Sequence, residues 1–447
     1  MKRLKFLMLI MLCIFLTACG TSASGKDSEK EEINEETKVL KGTVYDGTMN
    51  TITVKDENGD IYSFAKESGK VEVSQDGIII GCPVAVEYTG KLERGADFQD
   101  VAVNKITVSE EPTRKTARDM LSGMSLEEKA GQMFLARCPQ SGYSEDIAEY
   151  CLGGYILFAR DFENETEESV SEKIIGFQSE SKIPMIIAVD EEGGTVNRVS
   201  RFLAFRQEPF KSPQELYSEG GFELIKSDTR EKCALLKNLG INLNLAPVCD
   251  VSENSEDFIY DRSFGRGAGE TSEYVKTVVG VMKSENMGCA LKHFPGYGSN
   301  KDTHMGIAYD SRDREAFDTG DFLPFKAGID SGAGIVLVSH NIVECMDNNN
   351  PASLSDKVHE VLRHDLGFDG VIMTDDLSME AIKQSAGDKE AAVAAVLAGN
   401  DLLCCTNYQE QFNAVIEAVR SGVVPESRID ESVMRILLWK INNGVID

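Results

Sequence analysis

Apolar and polar positions change rhythm along the chain. Residues 39–110 hold short alternating or β-branched stretches: VLKGTVYDG, NTITVKD, DIYSFAK, GIIIGCPVAVEYTG and VAVNKITVS. Turn signals such as Asp46-Gly47 and Asn58-Gly59 separate them. Alternation of period two marks half-buried strands, so this stretch predicts a small all-β domain, barrel or sandwich, of about five to six strands. From residue 115 the rhythm switches, and apolar β-rich segments alternate with helical ones. The strand windows are 131–136, 153–159, 184–189, 241–247, 288–292, 334–339, 370–374 and 400–405. Helical stretches between them include 164–180, 214–238, 270–286, 354–364 and 388–398, and 408–420 and 428–441 follow the last strand. Eight β–α units predict an α/β chain whose residues 115–441 form a closed (β/α)8 barrel. The alternative is an open doubly wound sheet. No Gly-x-Gly-x-x-Gly follows the first strand, which argues against a dinucleotide-binding version.

The N-terminal segment has a different pattern. Lys2, Arg3 and Lys5 precede an apolar run from Phe6 to Leu16. That run is too short to span a bilayer and has the form of a secretory signal peptide over residues 1–18. It ends in Leu16-Thr17-Ala18-Cys19, which resembles the lipobox of bacterial lipoproteins. The resemblance implies cleavage before Cys19, lipid on its sulfur and a membrane anchor on the extracytoplasmic side. The alternative is a plain signal peptide with an incidental cysteine. Residues 19–38, small and charged with one Ile, cannot bury enough to fold and read as a tether.

Composition narrows the partners. With 46 Lys plus Arg against 74 Asp plus Glu, the formal net charge is -28. Such acidity repels phosphate backbones and excludes a nucleic-acid partner from the favoured readings. Cys13 and Cys19 belong to the export segment. The other cysteines show no zinc spacing and read mostly as small core fillers. The β domain carries neither an aromatic stacking row nor a basic cluster. It reads as a spacer or an assembly surface, with carbohydrate binding as an alternative. The sequence specifies no oligomeric state and no cofactor.

Candidate chemistry gathers just past the strands, where barrels keep their active sites. The third strand ends in Asp190-Glu191-Glu192-Gly193-Gly194, and the fourth leads to Asp250 and Arg262. The fifth ends in Lys292-His293-Phe294-Pro295-Gly296, the sixth in His340 and the seventh in Asp375-Asp376. After Gly296 a loop reaches Asp302-Thr303-His304. An Asp two residues from a His can accept the imidazole N–H and raise its basicity, giving a general acid/base. A locally hydrogen-bonded loop histidine is the plainer reading. Asp375, directly after an apolar strand, can attack an electron-poor carbon or stabilise a cation. Asp375-Asp376 can equally cap a helix. A metal held by Asp190, Asp250 and Asp375 is disfavoured by the cations at neighbouring strand ends.

These residues resemble glycoside hydrolase family 3, in its β-N-acetylglucosaminidase branch. The segment Lys292-His293-Phe294-Pro295-Gly296 followed by Asp302-Thr303-His304 is similar to that branch's signature. Leu362-Arg363-His364-Asp365, Gly370 and Thr374-Asp375 fit its nucleophile signature. Asp190-Glu191-Glu192-Gly193-Gly194, Ala246-Pro247-Val248, Arg262-Ser263-Phe264, Pro351-Ala352-Ser353-Leu354-Ser355 and Ala398-Gly399-Asn400-Asp401 also match family elements. The resemblance covers about 115–440 and leaves out 20–110.

It implies that Asp375 is the nucleophile of a retaining mechanism and His304, paired with Asp302, the acid/base. It further implies that Asp190, Arg262, Lys292 and His293 bind the terminal sugar, with Arg198 contributing to the same pocket. No metal is implied. The expected activity is exo-hydrolysis of terminal β-linked N-acetylglucosamine from peptidoglycan fragments or chitin-type oligosaccharides. Phosphorolysis, a β-glucosidase of the same family and a non-catalytic sugar-binding lipoprotein are the alternatives. Two departures stand out. The branch's Gly-His-Gly is here Gly296-Tyr297-Gly298, with a span to His304 one residue shorter. The Arg after the Gly-Gly pair is here Thr195. No second α/β domain follows the barrel, which favours the single-barrel type.

Overall fold

A computed structural model of the protein describes residues 37–48, 50–66, 70–73, 77–78, 81–94, 99–300, 308–379, 381–382 and 388–446. The chain divides into two compact units at Glu110/Glu111. No helix among the described residues is long and apolar enough to cross a membrane.

The first unit holds β1 (Lys38–Gly47), β2 (Thr51–Asp56), β3 (Ile61–Ala65), β4 (Lys70–Val73), β5 (Pro83–Thr89) and β6 (Ala102–Val108). They form one sheet in the order β3-β2-β1-β5-β6-β4. Alternation sorts its faces. Ile52 and Val54 of β2, and Val84 and Val86 of β5, turn into one core while their neighbours face out. The sheet must curl to close that core. Phe64 on β3 lies 6.5 Å from Tyr88 on β5, although β2 and β1 separate the two strands. A flat sheet would hold rings three strands apart at roughly 14 Å. The expected barrel or sandwich is therefore a single curled sheet, with β3 and β4 as its edges.

The second unit contains β7 (Phe134–Arg137), β8 (Gly154–Leu157), β9 (Ile186–Val189), β10 (Leu243–Asn244), β11 (Gly288–Phe294), β12 (Tyr309–Asp310), β13 (Ile335–Val338), β14 (Ile342–Val343), β15 (Val371–Thr374) and β16 (Leu403–Cys405). β12 and β14 pair with each other. The other eight form a parallel sheet in the order β15-β13-β11-β10-β9-β8-β7-β16. Thr374 N donates to Leu402 O at 3.0 Å and Met373 bridges Leu402, which joins the two ends and closes the (β/α)8 barrel. Most of these strands are buried along their whole length, as parallel strands covered on both faces must be.

Several boundaries differ from the sequence expectation. The first window starts as helix. Ser125 and Glu128 form a capping box that nucleates Leu126–Gln132, and the strand begins only at Phe134. The fourth strand shrinks to Leu243–Asn244. The expected helix 354–364 is built from a 3-10 turn, Ala352–Leu354, a short helix, Asp356–Glu360, and a π turn, Val361–Asp365. Helices Pro112–Ser122 and Tyr143–Tyr150 are additional. The described cysteines are unpaired and mostly buried, while Cys345 is exposed and is no core filler.

The N-terminal end of the barrel is locked by charge and by ring packing. Asp401, fully buried, accepts Arg363 Nη2 at 2.6 Å, Arg435 Nη1 at 3.2 Å, Ser432 Oγ at 2.9 Å and the Ile372 amide at 3.0 Å. Arg428 adds a longer contact at 3.4 Å. Trp439 covers the starts of β11 and β13. A Cβ at Gly288 would stand 2.4 Å from the indole, so only glycine fits beneath it. Thus Arg363 and Asp401, both within the segments that carry the family resemblance, hold the fold and stand at the starts of β15 and β16. Asp401→Ala leaves these guanidiniums without their buried counter-charge. The expected cost is about 3–5 kcal/mol, read as a lower urea midpoint of the full chain. A loss below about 1 kcal/mol, the range of an ordinary surface change, would remove Asp401 from this role.

Candidate active site

The opposite end of the barrel is assembled from the strand ends. β9 runs out into Asp190, Glu191 and Glu192, and the next residue has a positive φ of 103°. A Cβ on Gly193 would stand 2.2 Å from Lys211 O, so the turn needs glycine both for its dihedral and for its space. The consecutive acids then take different tasks. Glu191 is wholly buried and folds the following loop back on itself. Its carboxylate accepts the amides of Arg198 and Val199 at 2.8 Å each, that of Ser200 at 3.2 Å, and the Ser200 hydroxyl. This places Arg198 over the barrel mouth.

Glu192 is the electrostatic centre. Arg262 grips it with Nε at 3.0 Å and Nη2 at 2.7 Å, and Lys292 Nζ lies 2.5 Å from Oε1. Lys292 also donates to Asp190 Oδ1 at 2.6 Å and is only 1% exposed. Burial by itself would raise the Glu192 pKa, but the charges of Arg262 and Lys292 outweigh it and hold the carboxyl well below the usual range. Burial likewise works against the charged form of Lys292, and Asp190 with Glu192 reverse that effect, leaving its pKa raised.

His293 is fixed by the same network. Its Nδ1 lies 2.8 Å from Asp250 Oδ2 and its Nε2 lies 3.2 Å from Arg262 Nη2. A guanidinium can only donate, so Nε2 accepts and the ring proton sits on Nδ1, donated to Asp250. Asp250 also receives the amides of His293 at 3.0 Å and Tyr297 at 2.8 Å. Tyr297, the residue in place of the branch's histidine, is buried and stands edge-on to the His293 ring at 5.2 Å. Asp250 is thus engaged by an imidazole N–H and two amides, and Asp190 by the Lys292 ammonium.

Asp375 leaves β15 with its amide donating to Val338 O at 3.0 Å, and its Oδ1 accepts the Asp376 amide at 2.8 Å. Asp376 also lines the cavity, and its carboxylate accepts the Thr406 hydroxyl at 2.6 Å and the Ser378 amide at 2.9 Å. Behind them His340 bridges Ser353 Oγ at 2.7 Å and the Asp376 carbonyl at 3.0 Å. A carbonyl can only accept, so Nε2 of His340 carries the proton.

These groups surround a cavity of about 510 Å³. Asp190, Arg198, Arg262, Lys292, His293 and Asp375 all line it, so the described part of the expected site converges on one space. Its apolar wall includes Ile156, Phe158, Leu245, Leu337 and Met379. Asp302 and His304 lie outside the described residues, as does Cys19. Glu192 was not singled out in the sequence as a site residue. Its signal was an acid pair before Gly-Gly at a strand end, in a chain with Lys and Arg at neighbouring strand ends. Arg137 also lines the cavity, without a sequence signal.

A closed parallel barrel with a polar cavity at the C-terminal ends of its strands is the architecture of barrel enzymes. The chain belongs to glycosyl hydrolase family 3: the family's N-terminal domain matches residues 125–438. A β-hexosaminidase of Nitrosomonas eutropha is 32% identical over 280 residues, covering 59% of this chain and 79% of the relative. One from Idiomarina loihiensis is 33% identical over 304 residues, covering 65% and 87%. The solved family 3 β-N-acetylglucosaminidase of Paenibacillus sp. str. FPU-7 superposes with a TM-score of 0.68 at 31% identity. That match covers 72% of this chain and 63% of the Paenibacillus chain, less than two thirds of its length.

Glu192→Gln removes the counter-charge of Lys292 and Arg262 and is expected to destabilise the chain by about 3–5 kcal/mol near neutrality. Because the folded pKa of Glu192 is depressed, its stabilisation is complete above the unfolded value near 4.5 and is lost as pH falls through the folded value. The stability gap between wild type and variant should therefore be flat above about pH 4.5 and narrow below it. Denaturant titrations at several pH values read this directly, and a gap independent of pH would refute it.

Proposed function

We propose that this chain is a retaining exo-β-N-acetylglucosaminidase acting on terminal β-linked N-acetylglucosamine of peptidoglycan fragments or chitin-type oligosaccharides. The observation that carries the reading is the convergence of Asp190, Arg198, Arg262, Lys292 and His293 with Asp375 on one cavity of a family 3 barrel. The names of the similar proteins support the amino-sugar substrate. In this reading Asp190 accepts from sugar hydroxyls, and the cationic side chains donate to them.

Asp375 then attacks the anomeric carbon. A carboxylate oxygen–carbon bond forms, the bond to the leaving oxygen breaks, and His304, oriented by Asp302, gives that oxygen its proton. Water next loses a proton to His304 and displaces Asp375, restoring both groups and the original anomeric configuration. Retaining enzymes usually oppose two carboxylates about 5–5.5 Å apart. An imidazole in place of the second one adds no negative charge beside Asp375. The accompanying proposal for localisation is export and lipid attachment through Cys19, with the barrel on the extracytoplasmic side.

Purified chain lacking residues 1–18 should release the aryl alcohol from an aryl β-N-acetylglucosaminide, with retained configuration in the first-formed sugar by NMR. Asp375→Ala should lower kcat by roughly 10⁴-fold or more, as for other nucleophile deletions. An Asp375→Ala protein with wild-type turnover would rule out this mechanism. Product analysis with added phosphate separates hydrolysis from phosphorolysis, since only the latter yields a sugar 1-phosphate.

A further inference from the structure

Not every cation at the cavity is held in an ion pair. Arg262 and Lys292 are each matched to Glu192, and Lys292 also to Asp190. Arg137 and Arg198 are different. Both line the cavity, and the Nε of each is buried without a hydrogen-bond acceptor. Among the described residues, neither makes an ion pair with a carboxylate. Arg137 stands at the end of β7 with its guanidinium 4.6 Å over the Phe158 ring, a stacking that orients it. Asp161 accepts the Phe158 amide at 2.8 Å and lies 3.9 Å from Arg160; it feels the charge of Arg137 but makes no ion pair with it. Asp376 is committed to Thr406 and Ser378. Asp375 is the reacting group.

Both side chains are partly buried, a buried N–H without an acceptor is costly, and the planar donor set of a guanidinium matches the oxygens of a carboxylate or phosphate. We infer that Arg137, together with Arg198, forms a subsite for an acidic substituent carried by the substrate sugar, so that this enzyme selects an anionic glycoside over a neutral one. The inference rests on the proposed glycosidase reading and deepens it by naming a specificity-determining residue. Arg198 was already expected in the pocket; Arg137 was not.

The test uses isothermal titration of the full mature chain with N-acetylglucosamine, its 6-phosphate, N-acetylmuramic acid (which bears a lactyl carboxylate) and inorganic phosphate. Wild type should bind at least one acidic sugar about 10- to 100-fold more tightly than the neutral one, the range of a charge-assisted hydrogen bond. Arg137→Met, which keeps an unbranched side chain but removes the guanidinium, should erase most of that preference, and Arg137→Lys should restore part of it. Equal affinity of wild type for neutral and acidic sugars overturns the inference, and needs no variant to fold. Arg137-dependent binding of inorganic phosphate without preference for an acidic sugar also overturns it, in favour of a free-ion site. Turnover of the aryl glycoside, measured alongside, separates the two ideas. Turnover without acid preference sinks only this inference, while Arg137-dependent acid preference without turnover sinks only the glycosidase reading.

Discussion

The buried carboxylate of Glu192 is the interaction on which the candidate site depends. It joins three stretches distant in sequence: the loop after β9, the turn carrying Arg262 and the end of β11. An ammonium as buried as that of Lys292 cannot stay charged in a protein interior without a counter-charge held at fixed geometry, and the partly buried guanidinium of Arg262 binds the same one. Once Glu192 supplies it, the positions of Asp190 and His293 follow. Lys292 reaches Asp190 from the same ammonium, and Arg262 presents an N–H to the far side of the His293 ring. Asp250 then fixes that ring from its other nitrogen. Donors and acceptors facing the cavity are thereby set before any sugar arrives, which is the preorganisation that electrostatic catalysis needs.

The two ends of the barrel use buried charge differently. Around Asp401 the carboxylate oxygens meet guanidiniums, a hydroxyl and an amide from the surrounding helices and strand. Asp401 is thereby satisfied within the protein and holds the scaffold. At the mouth, Glu192 is satisfied in the same way, but Arg137 and Arg198 keep buried N–H groups without acceptors. Native proteins pair nearly all buried polar atoms, so an unpaired donor facing a cavity points to a partner outside the protein. Both ends contain segments that carry the family resemblance. Only the hydrogen-bond inventory tells which of them hold the scaffold and which face a substrate.

Much of the barrel was legible because its physics is local and periodic. An apolar run that empties into charge marks a parallel strand and the end at which it meets solvent. Asp190, Lys292, His293 and Asp375 could be placed at one face on that rule alone. What escaped reading depended on long-range partners. Glu191 and Glu192 are the same residue type side by side, yet one staples a backbone loop and the other neutralises two cations. Nothing within the segment distinguishes them, because Arg262 and Lys292 arrive from 70 and 100 residues away. The curl of the β domain escaped for a similar reason: alternation gives each strand two faces but not the angle between strands. The helix over Leu126–Gln132 was readable in principle, since the Ser125/Glu128 capping box is a local signal that overrode the apolar content of the window.

The net charge of the chain does not set the charge balance of its cavity, where Arg137, Arg198, Arg262 and Lys292 meet Asp190, Glu192, Asp375 and Asp376. With a net charge of -28, the protein surface repels anions approaching from bulk water. Surface fields are screened within a Debye length, whereas a partly buried guanidinium at a cavity wall is screened less. Short-range pairing inside can therefore outweigh long-range repulsion outside. Acidity of the whole chain excludes extended polyanions, which must lie along the surface, without excluding a single acidic group that enters the pocket. The same reasoning explains how Lys292 stays charged with almost no exposure: its field is set by Asp190 and Glu192 at contact distance. At this site, pairing within a few ångströms decides the chemistry, and the net charge of the chain decides only what can approach it.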